Sequence, residues 1–102
     1  MSDRITGLLG LCRRAGKLTI GFDVTIAAVK KRTARLVLLS SDVSPKTAKE
    51  LRFFAEEGGI PVRDLPLTKE ACGRALGLQK AVGALGITDA GFAKTLQKEE
   101  TI

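Results

Sequence analysis

Residues 36–45 read Leu-Val-Leu-Leu-Ser-Ser-Asp-Val-Ser-Pro, and this stretch joins two predicted elements. A continuous apolar run such as 36–39 is typical of a short strand that is buried on both faces. Ser44 followed by Pro45 predicts a helix start, because serine caps free N–H groups and proline suits the first helical turn. The stretch therefore predicts a buried strand that leads through a short turn into a helix.

Helix and strand patterns alternate on both sides of this stretch. Apolar residues at helical spacing and capping residues predict helices over 4–15, 22–32, 45–57, 68–76 and 89–97. The intervening segments predict strands over 17–20, 36–39, 60–63 and 81–87. Strands separated by single helices predict an α/β protein, a three-layer α/β/α sandwich with a four-stranded mixed sheet. We expect one domain over residues 1–102, with a frayed tail from about residue 98.

The composition is that of an ordinary globular protein, with 44% hydrophobic and 27% charged residues. No apolar stretch approaches the ~20 residues that a membrane span requires, and the first residues lack the pattern of a secretion leader. Cys12 and Cys72 lie far apart, and neither belongs to a Cys-x-x-Cys pair. We therefore expect a cytoplasmic protein with two reduced thiols and no membrane partner.

The chain contains no histidine, which excludes Ser-His-Asp and Cys-His catalysis and removes the commonest zinc ligand. Its carboxylates are scattered. Residues 10–17 resemble a phosphate-binding P-loop only loosely, because five residues separate the glycines and Leu18 stands where Ser or Thr would hold magnesium. We therefore expect no enzyme activity, no metal and no cofactor.

Positive charge is concentrated in the first half of the chain. Residues 1–52 contain eleven Lys and Arg against four Asp and Glu, whereas residues 53–102 contain six against seven. Such an excess attracts phosphate backbones through Coulomb steering and counterion release. The charge therefore favours a nucleic-acid partner, and the alternative is a solvated surface that only keeps the protein soluble.

The turn Gly21-Phe22-Asp23-Val24 is the first candidate binding segment. Glycine permits a tight turn from strand to helix and the close approach of a ligand, and the helix start attracts anions. Lys17 precedes the turn, and Lys30 and Lys31 follow it. In the alternative interpretation Asp23 caps the helix and Phe22 belongs to the core stripe, and for Phe22 the stripe is the better fit.

The loop Leu65-Pro66-Leu67 is the second candidate binding segment. Exposed apolar residues at a loop tip can pack on unstacked bases, which is a common way to recognise structured RNA. The alternative is a loop that folds back onto the core.

Five runs, 16–21, 36–45, 59–62, 72–77 and 86–93, together resemble the kink-turn-binding ribosomal protein family of the L7Ae type. The resemblance covers about residues 4–97 and is nearest to the bacterial YlxQ branch. It implies an α/β/α sandwich without catalysis that binds kink-turn RNA or ribosomal RNA. On this basis we expect a ribosome-associated monomer with structured RNA as its partner.

In that family, a Gly-x-Asn-Glu turn and a lysine one helical turn later contact the sheared G·A pairs of the kink. An apolar loop covers the bulged nucleotides. The resemblance assigns the turn to residues 21–24 and the loop to residues 65–67, so that the RNA-binding residues would include Gly21, Phe22, Asp23, Val24, Leu65, Pro66 and Leu67, with Lys17, Lys30 and Lys31 beside them.

This sequence departs from the family pattern at the base-reading positions. Val24 replaces the glutamate, Ala27 replaces the lysine, and Asp23 can accept a hydrogen bond but not donate one. Losing two or three base contacts of roughly 1–3 kcal/mol each would remove most sequence discrimination. The alternative function is a protein-interaction module on the same fold, for which Phe22 and Val24 would have to be exposed together.

Overall fold

The computed structural model of the chain describes residues 3–99. Its elements, in chain order, are α1 (Asp3–Arg14), β1 (Leu18–Ile20), α2 (Phe22–Lys30), β2 (Leu36–Leu39), α3 (Pro45–Glu57), β3 (Val62–Asp64), α4 (Lys69–Ala75), β4 (Ala84–Ile87) and α5 (Ala90–Gln97). The predicted order of helices and strands is confirmed. The last predicted strand, 81–87, is shorter than expected because pairing begins only at Ala84.

The segment predicted to fray, from residue 98 onward, lies partly outside the described residues. The backbone N–H groups of Lys98 and Glu99 donate to the carbonyls of Thr95 and Leu96, and the Glu99 carboxylate pairs with Arg4. These contacts hold the end of α5 against the start of α1.

The sheet has the strand order β1-β4-β2-β3. β2 and β3 are parallel, whereas β4 runs antiparallel to both of its neighbours, β1 and β2. The predicted mixed sheet is therefore confirmed. Because β4 lies between β1 and β2, those two strands point in the same direction.

Each face of the sheet has its own hydrophobic core. Leu36 and Leu38 face the core formed with α1, α4 and α5, whereas Val37 and Leu39 face the core formed with α2 and α3. All four residues of β2 are fully buried. The continuous apolar run at 36–39 thus arises from burial on both faces, and the three-layer sandwich is confirmed.

The two free thiols, Cys12 and Cys72, are buried in the core beneath α1 and α4. Burial, with a smaller contribution from the charge of Asp89, raises the pKa of Cys12 from its ordinary value of 9.0 to about 11. Burial also raises the pKa of Cys72, and a hydrogen bond with Ser40 offsets part of that rise. Both thiols are therefore held neutral in the folded state.

We expect the free energy of unfolding to fall as pH rises from 9 to 11. The folded state keeps the Cys12 proton in this range whereas the unfolded chain loses it, so the stabilisation present below pH 9 declines by about 2 kcal/mol at pH 11. Urea unfolding at several pH values measures this decline. The Cys12→Ala variant should be less stable at pH 8 but should show a flatter decline. Equal declines in both proteins would contradict the assignment to Cys12.

Candidate nucleic-acid interface

One edge of the sheet brings together the turn at Gly21 and the loop 65–67. β1, β2 and β3 end at this edge, and β4 begins there because it runs antiparallel. Backbone hydrogen bonds join the neighbouring segments: Gly21 N–H to the Ala84 carbonyl at 2.9 Å, Ser40 N–H to the Gly83 carbonyl at 3.0 Å, and Ser41 N–H to the Leu67 carbonyl at 2.8 Å. We call the segments 21–24, 40–46, 65–69 and Gly83 the Gly21 edge.

The turn into α2 requires glycine for its backbone. Gly21 has φ 95° and ψ 165°, in a region that residues with side chains rarely adopt. It occupies the N-cap position of α2, and no side chain among the described residues caps this helix, whereas Ser44, Thr68 and Asp89 cap the three later helices. Asp23 lies exposed inside the first turn and is not the cap, which excludes the capping role that the alternative interpretation gives it.

Two threonines stabilise the turn by joining β1 to α2. The hydroxyls of Thr19 on β1 and Thr25 on α2 lie 2.9 Å apart and share a hydrogen bond, and Thr25 is fully buried. A Cβ on Gly86 of β4 would clash with the Thr19 hydroxyl. The sequence pattern does not single out these three residues, although a glycine inside a strand pattern is a signal of close approach.

The base-reading positions of the family pattern lie on the outer face of α2. Val24 is 55% exposed and Ala27 is also exposed, but Phe22 is half-buried and packs against the core between α2 and α3. Phe22 and Val24 are therefore not exposed together. The apolar surface that remains, Val24 and Ala27, is small for a protein interface.

The loop 65–67 does not present an apolar tip. Leu65 and Leu67 are only 2% and 6% exposed and belong to the core, so the expectation that these two side chains face RNA is wrong; Pro66 alone is exposed. The reason is that the segment continues the pairing of β3. Leu65 N–H donates to the Leu39 carbonyl at 2.7 Å, and strand-like alternation turns both leucines inward.

Lys17, Lys30 and Lys31 do not lie beside the Gly21 turn. Lys17 precedes β1, and Lys30 and Lys31 stand at the far end of α2. The nine residues of α2 span about 13 Å, so all three lysines lie at the opposite edge of the sheet. The expectation of one site around Gly21 that includes these lysines is therefore wrong.

Lys46 and Lys69 provide positive charge at the Gly21 edge instead. Both stand in the first turn of a helix, α3 or α4, that starts at this edge. The Lys69 N–H donates to the Asp42 carboxylate at 2.7 Å, which joins the start of α4 to the turn after β2. Neither lysine stands out in the sequence, because only the strand order shows that the starts of α3 and α4 lie at the same edge.

Within residues 3–99, no group of three or more His, Cys, Asp or Glu side chains is placed to hold a metal ion. No helix in this part of the chain combines the length and the apolar character that a membrane span needs.

A family model described as ribosomal protein L7Ae/L30e/S12e/Gadd45 matches residues 3–97. The chain belongs to this family. The resemblance drawn from the five sequence runs is thereby confirmed.

Two named relatives are similar over nearly the whole chain. The RNA-binding protein YlxQ of Bacillus subtilis (strain 168) is 35% identical over 89 residues, which cover 87% of each chain. The large ribosomal subunit protein eL30 of Tetrahymena thermophila is 30% identical over 97 residues, which cover 95% of this family member and 93% of the relative.

Two solved structures share the fold. A protein of unknown function from Bacillus halodurans superposes with a TM-score of 0.83 at 36% identity, covering 90% of this chain and 91% of the other. The 15.5kD RNA-binding protein of Giardia lamblia superposes with a TM-score of 0.79, covering 92% and 82%. Its identity is 21%, so this second likeness shows the fold alone.

Proposed function

We propose that this family member is a non-catalytic, ribosome-associated protein that binds structured RNA at the Gly21 edge. The observation that carries the proposal is that the uncapped start of α2 and the loop 65–67 meet at one edge. These are the two segments to which the family resemblance assigns RNA contact. The relatives named as an RNA-binding protein and as a ribosomal subunit protein support the same partner.

The chemistry of this edge suits a phosphate backbone. The first N–H groups of α2 and the positive end of its dipole attract an anion, and no side chain within residues 3–99 caps them. Lys46 and Lys69 add two ammonium groups at the same edge, which offset the carboxylates of Asp23 and Asp42. Pro66 offers an exposed ring against which an unstacked base can pack.

The same edge offers few side chains that can form hydrogen bonds with bases. Val24 and Ala27 are exposed on α2 but offer no hydrogen-bonding group, and Asp23 offers only an acceptor. We therefore propose that phosphate contacts supply most of the affinity and that preference for a kinked RNA is weak.

We expect kink-turn RNA to bind less than about tenfold more tightly than an unkinked duplex of equal length, since few base contacts remain. Binding of both RNAs should weaken steeply with salt. Fluorescence anisotropy at two salt concentrations measures both effects. The double variant Lys46→Gln/Lys69→Gln should weaken binding of kink-turn RNA about tenfold.

The matched control is Lys49→Gln/Lys94→Gln, which removes the same charge from exposed positions on the outer faces of α3 and α5. This control should bind almost as the wild type does. Equal losses in the two double variants would refute a site at the Gly21 edge. No binding of either RNA at low salt would refute the RNA-binding function altogether.

A further inference from the structure

We propose that the opposite edge of the sheet is a second RNA-binding surface, which holds the phosphate backbone of a helical segment. It is separate from the Gly21 edge, and only its assignment to RNA rather than another polyanion rests on the proposed function. The surface, which we call the basic edge, is formed by Arg13, Arg14, Lys17, Lys30, Lys31, Arg32 and Arg35.

Backbone pairing brings these residues to one edge. The Lys17 carbonyl accepts a hydrogen bond from Thr88 N–H at 3.0 Å, and Arg35 N–H donates to the Ile87 carbonyl at 2.6 Å. Since β4 lies between β1 and β2, Lys17 and Arg35 stand two strand spacings apart, or about 10 Å. The cations at the ends of α1 and α2 lie on the two faces of the sheet, on either side of Lys17 and Arg35.

The charge of the basic edge is largely uncompensated. The ion pairs found within the described part of the chain are Arg4–Glu99, Arg52–Asp64 and Arg74–Glu70, and none involves this edge. Arg13 donates to the Leu76 carbonyl at 2.6 Å and the Lys30 ammonium lies over the Phe54 ring, so five of the seven cations have no such contact within residues 3–99. The nearby carboxylates are Glu56 and Glu57 at the end of α3 and Asp89, which caps α5.

Helix electrostatics explains only part of this arrangement. Arg13, Arg14 and Lys30 occupy last helical turns, where cations stabilise the negative end of the dipole. Lys17 and Arg35 lie outside the helices, so the dipole gives no reason for their charge. Binding of a polyanionic ligand would explain the positions of all seven cations.

Arg32 is the most informative member of the edge. Helices α1 to α4 end in the same pattern of two backbone hydrogen bonds, which requires a left-handed residue after the cap. Gly16, Gly59 and Gly77 fill this position in α1, α3 and α4, with φ between 67° and 75°. In α2 the position is occupied by Arg32 at φ 63°, where a glycine would be unstrained. The strain is consistent with a function for its guanidinium.

The side chain of Arg32 is exposed to solvent. It lies across the end of α3, where a Cβ on Gly58 would come within 3.0 Å of the Arg32 Cδ. Arg32 and Arg35 line an open cleft of about 340 Å³, together with residues 58–61. Two guanidinium groups on one cleft suit a phosphate, because arginine presents paired donors to its oxygens.

The basic edge favours a double helix over a single strand. Single strands bind mainly by stacking bases on aromatic side chains. Phe53, the one exposed aromatic residue among those described, lies on the outer face of α3, and Phe54 is half-buried beneath the Lys30 ammonium, which lies 4.5 Å from its ring centroid. A double-helical RNA exposes its phosphates while its bases stay stacked, so its binding does not require exposed aromatic side chains.

The experiment compares Arg32→Gly/Arg35→Gln with the control Lys49→Gln/Lys94→Gln, since each removes two positive charges. Binding of an unkinked RNA duplex is measured over a range of salt concentrations. We expect the log–log salt slope to fall by about two in the basic-edge variant and to stay near the wild-type value in the control. Equal slopes in both variants would overturn the proposal.

The single variant Arg32→Gly separates binding from folding. It should raise Tm by several degrees, because glycine relieves the left-handed strain, while the salt slope for the duplex falls by about one. Unchanged duplex binding would overturn the proposal, as would tighter binding to anionic phosphatidylserine vesicles than to the duplex. The proposal for the Gly21 edge is tested separately, by measuring how tightly Lys46→Gln/Lys69→Gln binds kink-turn RNA.

Discussion

The triple variant Asp23→Asn/Val24→Glu/Ala27→Lys is expected to bind kink-turn RNA at least about thirtyfold more tightly than the wild-type chain. The family resemblance assigns base contacts to these positions, and two or three such contacts contribute roughly 1–3 kcal/mol each. All three residues are exposed on α2, so the changes leave the core intact. Titration of labelled kink-turn RNA by anisotropy measures the gain.

The unkinked duplex is the control ligand for this variant. The three changes add a single net positive charge, so affinity for the duplex should rise by no more than a few-fold. An equal gain for both RNAs would mean that charge, not base reading, explains the result. No gain for the kink-turn RNA would show that residues 23–27 do not face its bases.

The fold was predictable because its signals are local. Ser44 followed by Pro45 predicts the start of α3, and Ser44 does accept a hydrogen bond from Thr47 N–H at 3.2 Å. The apolar run at 36–39 predicts a strand buried on both faces, and β2 is fully buried. Periodicity and capping therefore located the elements and their layers.

The arrangement of the candidate site was less predictable, because it depends on which loops meet. The sequence shows two leucines around Pro66 but not that the segment extends the pairing of β3, which turns Leu65 and Leu67 into the core. It also shows Lys30 and Lys31 nine and ten residues after Gly21, but not that α2 places them at the other edge. Residues at the two ends of a helix are near each other in the sequence but far apart in space, because every residue adds to the length of the helix.

The packing around Gly73 could not be predicted, because it leaves no distinct signal in the sequence. It is buried inside α4, where a helix-breaking residue would ordinarily count against the helix. The backbone of the segment 78–82 packs directly on it, and a Cβ at this position would overlap with the carbonyl oxygen of Lys80. Val82 N–H then donates to the Lys69 carbonyl at 3.0 Å, which leads the chain into β4.

The Gly73→Ala variant should therefore lose about 3 kcal/mol or more of its free energy of unfolding, a large part of the 5–15 kcal/mol typical of a domain. The obstacle is backbone, so it cannot rotate away as a side chain would, and the entry into β4 at the Gly21 edge must shift. Urea unfolding measures the loss.

Gly7→Ala is the matched control for this prediction. Gly7 is exposed within α1, and a Cβ there would meet no atom within 4 Å. Alanine should stabilise that helix by roughly 0.5–1 kcal/mol, because it restricts the unfolded chain and favours helix. The same substitution thus acts in opposite directions at two helical glycines. A Gly73→Ala protein as stable as the wild type would show that segment 78–82 does not pack on α4 as described.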